Sequence, residues 1–370
     1  MVHSYFAKAG YKFNELVKQI IMKTILDVGY GKDTLHELYM TGQMSSRLLY
    51  GMEEIRKDGS FLVKECSFSD QGGIKGFLYN NIKVLRSSDI IFMSYIYEGP
   101  LLLLAILKKI GFFKKRRVVG VSHTTIHLSN KWFFHIFDKW IYDIFDMVLF
   151  HSRKNMDESI QYGNVKPAKA DFLYWGDDLD FVDNHFLQKP FSNYFISTGR
   201  ENRNYKTLIE AFANENYQLR IYTNRCVYEN RYDYLDSMKD KYSNVQIEMV
   251  DKSNSTTLYL AEKTANCCCV VIPLIQEKIN YCLGLTSVVE AMAYGKPIIS
   301  SVNPYSPIDI EKERIGFVAR DVEEWKNAIR YIGENVDEAR EMGKRARKLA
   351  EEIYNMKHCA NQLKEIFDKF

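Results

Sequence analysis

Thr286, Ser287 and Glu290 stand in the stretch GLTSVVEAMAYGKPIISS, Gly284 to Ser301, at a spacing that suits a nucleotide. A glycine turn at Gly284 permits close approach. Thr286 and Ser287 then occupy the first turn of a predicted helix, where backbone N–H groups have no intrahelical acceptor. Such a helix start receives phosphate. Glu290 follows about one turn later, so its carboxylate shares their face and can accept hydrogen bonds from hydroxyls attached to that phosphate. The same letters also fit an ordinary amphipathic helix with a solvated acid and Gly295 as its C-cap.

A second constellation lies in STGRENRNYKTLIEAFA, Ser197 to Ala213. A predicted strand ends at Gly199, Arg200 follows at once, Arg203 comes shortly after, and a helix packs behind. Two guanidiniums projected from a strand end suit a diphosphate, because each can bind oxygens in a bidentate way. A solvated basic loop beside Glu201 is the competing reading. Asp178-Leu179-Asp180 forms a DxD string of the metal-binding kind, but strings this short arise often by chance. No other acidic or histidine cluster proposes a cation, so neither a metal nor another cofactor is expected.

The elements that must position these groups follow from size and hydrophobic pattern. A chain of 370 residues, 46% hydrophobic, is long enough for two domains with separate cores. Short apolar runs occur at 23–31, 61–68, 89–97, 117–123, 146–152 and 170–176, and again at 193–199, 218–224, 245–251, 267–274, 296–301 and 315–320. Helix-like segments separate most of them, an alternation that implies parallel sheets covered on both faces. From Phe181 to Ser192 the pattern weakens around Pro190 and reads as a linker. The chain therefore divides into 1–188, 189–352 and a last helix, 353–370, whose apolar stripe of Ile353, Met356, Ala360, Leu363 and Phe367 suits either domain. Two doubly wound domains should face a cleft, with ligands at the carboxyl ends of the strands. Gly29 and Gly31, closing the first strand, either let a backbone approach ligand there or form a plain tight turn.

The formal charge of +3 gives no global field for nucleic acid. The 7 cysteines include the consecutive Cys267, Cys268 and Cys269 but no CxxC spacing, which fits a reducing, cytoplasmic compartment. The N-terminal residues have no signal-peptide pattern, and no apolar run is long enough to span a bilayer. One local field stands out. Lys108, Lys109, Lys114, Lys115, Arg116 and Arg117 cluster without an acid, interleaved with Phe112 and Phe113, after an apolar helix. That segment suits docking on an anionic membrane surface, helped by the aromatic stretch around Trp132 to Phe145. A core helix whose basic end meets solvent is the alternative.

The order GR-x-x-R, LIEA, a strand ending in Pro273, GLTS-x-x-EAMA-x-GKP-I-I and Gly316 resembles the nucleotide-sugar domain of retaining glycosyltransferases of the GT-B fold, particularly family 4 (group 1). The resemblance runs from about Asn193 to the C-terminus, with weaker echoes in WGDDLDF and in VSH ending at His123. It implies two Rossmann-like domains and transfer of a sugar from a nucleoside diphosphate, UDP- or GDP-linked, to a saccharide or lipid-linked acceptor, with retention and without a metal. It assigns Arg200 and Arg203 to the donor diphosphate, and gives Leu285, Thr286 and Ser287 the phosphate at the Gly284 turn. Glu290 would take the ribose, and His123 would meet the transferred sugar. The family's E-x7-E arrangement puts a second acid where this chain has Cys282, and a thiol cannot replace a carboxylate toward sugar hydroxyls. Glu277 and Asn280 are nearby substitutes. Two rival functions follow: a catalytically silent nucleotide-sugar-binding subunit, and a nucleotide-sugar epimerase, for which no matched acid/base pair is visible.

Overall fold

The computed structural model describes residues 22–68, 81–96, 98–113, 115–127, 132–186, 191–199, 201–224, 232–239, 241–250, 258–276 and 282–370. The expected N-terminal helix, Lys114, Arg200, Glu277 and Asn280 lie outside the described residues. All twelve apolar runs contain a strand. The first six are β1 (Thr24–Tyr30), β2 (Leu62–Phe68), β3 (Ile90–Met93), β4 (Arg117–Ser122), β5 (Met147–Phe150) and β6 (Ala170–Phe172). They form one sheet in the order β2-β1-β3-β4-β5-β6. The others are β7 (Tyr194–Thr198), β8 (Gln218–Thr223), β9 (Val245–Met249), β10 (Cys269–Ile272), β11 (Ile298–Ser301) and β12 (Gly316–Ala319). Their order is β12-β11-β10-β7-β8-β9. Every pairing is parallel. Strands such as IIFM and CVVI are buried at every position, as expected of a sheet covered on both faces.

The strand order locates the ligand region. In each sheet the winding reverses once, between β1 and β3 in the first and between β7 and β10 in the second. Loops leaving the carboxyl ends of such neighbours diverge and open a crevice. In the second sheet these are the loop holding Arg203 and the segment leading to Gly284. In the first they are the connection from β1 and the turn after β3, which carries Ser94 and Tyr95.

The helices that matter to the cleft are α1 (Lys32–Met40), α2 (Met52–Asp58), α3 (Glu98–Lys109), α4 (Trp132–Tyr142), α5 (Arg153–Gln161), α6 (Leu179–Phe186) and α7 (Tyr205–Phe212). They continue with α8 (Tyr234–Met238), α9 (Leu258–Asn266), α10 (Leu285–Ala293), α11 (Val322–Glu334), α12 (Val336–Glu352) and α13 (Met356–Asp368). α6 corrects the linker reading of Phe181 onward. Asp178 Oδ1 accepts the Phe181 N–H at 3.0 Å and starts the helix, while Phe181 and Val182 bury against Ala293. Tertiary burial supplied what local periodicity did not.

α12 packs on α10 through small residues. An added Cβ at Gly343 would come 2.1 Å from the Gly295 carbonyl oxygen. α13 then runs back to the first sheet: Phe367 meets Phe61 and Phe92 edge-on at 5.9 and 5.7 Å, and Lys364 pairs with Asp58. One apolar cluster is thus continuous from Ile25 and Val119 through Leu363 and Phe367 to Ile196 and Val270. Among the described residues no helix is long and apolar enough to cross a membrane.

Candidate functional site

A cavity of about 580 Å³ lies between the carboxyl ends of the two sheets. Arg203, Thr286, Ser287, Glu290 and His123 all line it, as do Gly284 and Cys282. Its second-domain end is formed by Tyr222, Val250 and Leu260, a largely apolar wall beside polar groups, as in small-molecule sites generally.

Gly284 caps α10 with φ 82°, a left-handed conformation that glycine adopts without steric cost. The Leu285 N–H donates back to the Cys282 carbonyl at 3.2 Å, and its side chain is buried. Leu285 therefore spends its donor on the turn. The next N–H groups, of Thr286 and Ser287, have no backbone acceptor among the described residues and keep the helix start open to an anion.

Arg203 is buried and reaches the same place from the other loop. Its backbone N–H donates to the Tyr232 hydroxyl at 2.9 Å and its Nη1 to the Glu201 carbonyl at 3.0 Å. Its Nη2 donates to Ser287 Oγ at 3.3 Å, and Nε has no partner. Gly199, at φ 125°, leaves room for the guanidinium, which a Cβ there would approach to 2.6 Å. The arginine loop and the helix start therefore form one cationic, donor-rich corner, the arrangement that suits a diphosphate.

Glu290 lies one turn deeper with its side chain 13% exposed. Burial raises its pKa, Arg47 opposes that shift, and Asp177 adds to it. Arg47 is a first-domain residue that gave no signal in the sequence reading.

His123 directly follows β4 and lines the cleft. Tyr95 stacks on it at 4.6 Å, His151 meets it edge-on at 5.0 Å, and the Tyr50 hydroxyl lies 3.1 Å from Nε2. Burial, reinforced by His151 and opposed by a hydrogen bond to the Ser94 backbone, pushes its pKa down to about 3. The low pKa favours the neutral imidazole, whose Nε2 meets the Tyr50 hydroxyl. Tyr50 itself holds a left-handed backbone, φ 51°, which costs a non-glycine residue roughly 1 kcal/mol. Its ring packs against both Trp175 at 5.8 Å and His151 at 5.9 Å, which also touch each other at 5.6 Å.

Cys282 faces the first domain. Asn155 Nδ2 donates to its sulfur at 3.8 Å, and the thiol donates to the Tyr305 carbonyl at 3.6 Å. Burial pushes the thiol up to about 12, so this position offers neither charge nor a strong acceptor.

Other expected positions fall elsewhere. Gly29 and Gly31 do not line the cavity. Their loop is closed by the buried Lys32–Asp27 pair at 2.8 Å, and a Cβ on Gly29 would sit 2.8 Å from Lys32 Cε. The DxD acids point apart: Asp178 Oδ2 accepts the Ser46 N–H at 3.2 Å, and Asp180 pairs with Lys357 at 2.9 Å. His36, Glu53 and Glu65 bring donor atoms together near α1 and α2, but Arg56 already bridges both carboxylates there.

The basic surface is corrected most. Lys108 pairs with Asp146 at 3.0 Å, Lys109 with Asp143 at 2.9 Å, Arg116 with Asp89 at 3.2 Å and Arg117 with Asp146 at 2.9 Å. Phe113 is core, and Phe112 lies under the Arg86 guanidinium at 4.3 Å. Lys115 remains exposed. The acids come from other segments of the fold, invisible in a local count. The outer face of α3, the turn after it and α4 exposes Leu102, Ile106, Ile110, Ile136 and Phe137 beside Lys109 and Lys139.

Residues 179–349 match the family model described as Glycosyl transferases group 1. No curated protein matches the chain in sequence. Among solved structures, Alr3699/HepE of Anabaena in complex with UDP-glucose is similar at TM-score 0.63 and 14% identity, over 94% of this chain and 100% of that one. A glycosyltransferase from Rickettsia africae ESF-5 gives 0.62 and 13%, over 94% and 98%. An alpha-glucosyltransferase in complex with UDP-glucose and DNA containing an abasic site gives 0.63 and 13%, over 94% and 98%. At these identities the likeness establishes the fold. A second domain that matches the group 1 glycosyl transferase model therefore sits inside a GT-B architecture shared with these structures.

Proposed function

We propose that the chain transfers a sugar from a UDP- or GDP-linked donor to a saccharide or lipid-linked acceptor held by the first domain at a membrane surface, with retention and without a metal. The hydrogen bond from Arg203 to Ser287 at 3.3 Å carries the reading, because it joins the two loops expected to share one diphosphate. Arg203, with Arg200 in the same loop, offsets charge developing on the leaving diphosphate, and the α10 N-terminus adds fixed N–H donors. Glu290 accepts hydrogen bonds from the ribose. His123, held neutral, contacts the transferred sugar. The acceptor hydroxyl attacks the anomeric carbon on the face the diphosphate leaves, the bond to the phosphate oxygen breaks, and that oxygen takes the acceptor proton. Retention and family 4 membership rest on the resemblance of the GLTS-x-x-EAMA segment.

Docking is assigned to the exposed apolar face of α3 and α4. This would place the protein on the cytoplasmic face of a cell membrane, making an envelope or capsule saccharide.

Radiolabelled UDP- and GDP-sugars incubated with membrane lipids test the proposal, and transfer to lipid or saccharide is expected. Cys282, a neutral thiol where a second acid would read the sugar, favours a silent binding subunit as the second reading. Nucleotide-sugar binding without turnover would select it, and binding of no nucleotide would overturn both.

A further inference from the structure

We propose that Arg47, a first-domain residue, completes the ribose end of the donor site by holding Glu290 ionised and oriented from across the cleft. This rests on the reading of Glu290 as the ribose acceptor. Arg47 lies in the one-turn 3-10 helix Ser46–Leu49 between α1 and α2. Its Nη1 is 2.6 Å from Asp177 Oδ2 and 4.0 Å from Glu290 Oε1. Nε is buried with no partner, so the fork keeps unused donor capacity beside the cavity it lines.

The turn is not free to wander. Ser45 Oγ donates to Asp177 Oδ1 at 2.8 Å, the Ser46 N–H to Asp178 Oδ2 at 3.2 Å, and Trp175 Nε1 to the Arg47 carbonyl at 3.1 Å. Arg47 is thus fixed to the segment that joins the domains, while Glu290 belongs wholly to the second.

Four groups bear on the Glu290 carboxylate: Arg47, Asp177, the Tyr294 hydroxyl and the Cys267 thiol. Burial keeps the last two neutral, since Tyr294 is raised well above its ordinary value and Cys267 is pushed up to about 12. Asp177 is an anion. Among the described residues Arg47 is the cation that faces Glu290 and opposes the effect of burial on it. A carboxylate accepts from both ribose hydroxyls, whereas a protonated acid loses acceptor capacity. Opening the cleft would carry Arg47 away from Glu290, so donor affinity is tied to closure. Arg47 is a positioning residue and makes no contact with the reacting atoms.

UDP and GDP are titrated calorimetrically into the full chain at about pH 6 and about pH 8.5, and the tighter nucleotide is carried into Glu290→Gln, Arg47→Gln, Arg47→Lys and the Glu290→Gln/Arg47→Gln pair. Glu290→Gln should weaken binding about tenfold at both pH values. Arg47→Gln should weaken it about tenfold at the lower pH and less than about threefold at the higher, because rising pH favours the carboxylate with or without Arg47. In the double variant the second change should add nothing, the mark of two groups acting as one. Should Arg47→Gln fail to fold because Asp177 is left unpaired, Arg47→Lys carries the test. Its single ammonium stays with Asp177 and does not reach Glu290, so the same pH dependence is expected. Wild-type affinity and an unchanged pH profile in Arg47→Lys and every folded Arg47 variant, alongside a weakened Glu290→Gln, overturn the inference. Unweakened binding in Glu290→Gln removes the ribose reading and this inference with it.

Discussion

Arg203 and Ser287, 84 residues apart in sequence, meet through a hydrogen bond of 3.3 Å from the guanidinium Nη2 to the serine Oγ. The contact joins the loop after β7 to the start of α10, one on each side of the strand reversal. Replacing Arg203 with Ala removes a buried cation from this corner. Nucleotide affinity should fall about tenfold to a hundredfold, the worth of a charge-assisted hydrogen bond. Calorimetric titration with UDP or GDP measures it, and an unaltered affinity would remove the diphosphate assignment.

His123 and the buried His151 predict a pH dependence of stability. His123 is pushed down to about 3 and His151 to about 4, both chiefly by burial. The unfolded chain, with histidines near 6.5, binds protons that the folded state refuses. Their contribution is therefore fully present above about pH 6.5 and is lost as pH falls toward the folded values. Tm followed from neutral to acid pH should decline across this window, with a shallower slope in His151→Gln.

Cys282 should resist alkylation. A thiol pushed up to about 12 carries almost no thiolate near neutrality. Peptide mass spectrometry after iodoacetamide treatment at about pH 8 should find Cys282 unmodified in the folded protein and modified after denaturation. Rapid labelling of the native protein would contradict the burial described here.

Membrane docking, if it uses the outer face of α3 and α4, depends on its apolar residues. Ile106→Asp combined with Ile110→Asp should reduce co-sedimentation with anionic vesicles about tenfold or more, since each change also removes buried apolar area in the bound state. Lys108→Ala should act differently. It leaves Asp146 and the Ile144 carbonyl without their ammonium and lowers Tm, with little effect on vesicle binding.

The last helix is a structural tie. Phe367 is fully buried between Phe61 and Phe92. Phe367→Ala should cost about 3–5 kcal/mol, read as a shift in denaturant midpoint.

Much of this architecture was legible because parallel strands buried on both faces leave uninterrupted apolar runs. Glycine and hydroxyl residues at a helix start also carry their own local chemistry, and Gly284, Thr286, Ser287 and Glu290 could be read that way. Arg47 and Tyr50 could not. Each acts on a residue far along the chain, Tyr50 on His123 and Arg47 on Asp177 and Glu290, and neither has a periodic or spaced signature. The basic cluster misled for the same reason in reverse, because Asp89, Asp143 and Asp146 arrive through the folded sheet. Phe181 to Phe186 look weak as a helix until Ala293 and Tyr294 supply the surface they cover.

The domains are joined twice, and the two joints touch. The outgoing chain crosses at Gly176 and Asp177, and the returning chain crosses at Tyr354 and Asn355. The Met356 N–H donates to the Asp177 carbonyl at 3.1 Å, and a Cβ on Gly176 would fall 1.8 Å from the Tyr354 oxygen. Two segments pinned side by side would let the domains rotate about one line more readily than slide or twist apart. Any bulk at Gly176 would wedge that hinge, changing how far the cleft shuts without touching a single group inside it.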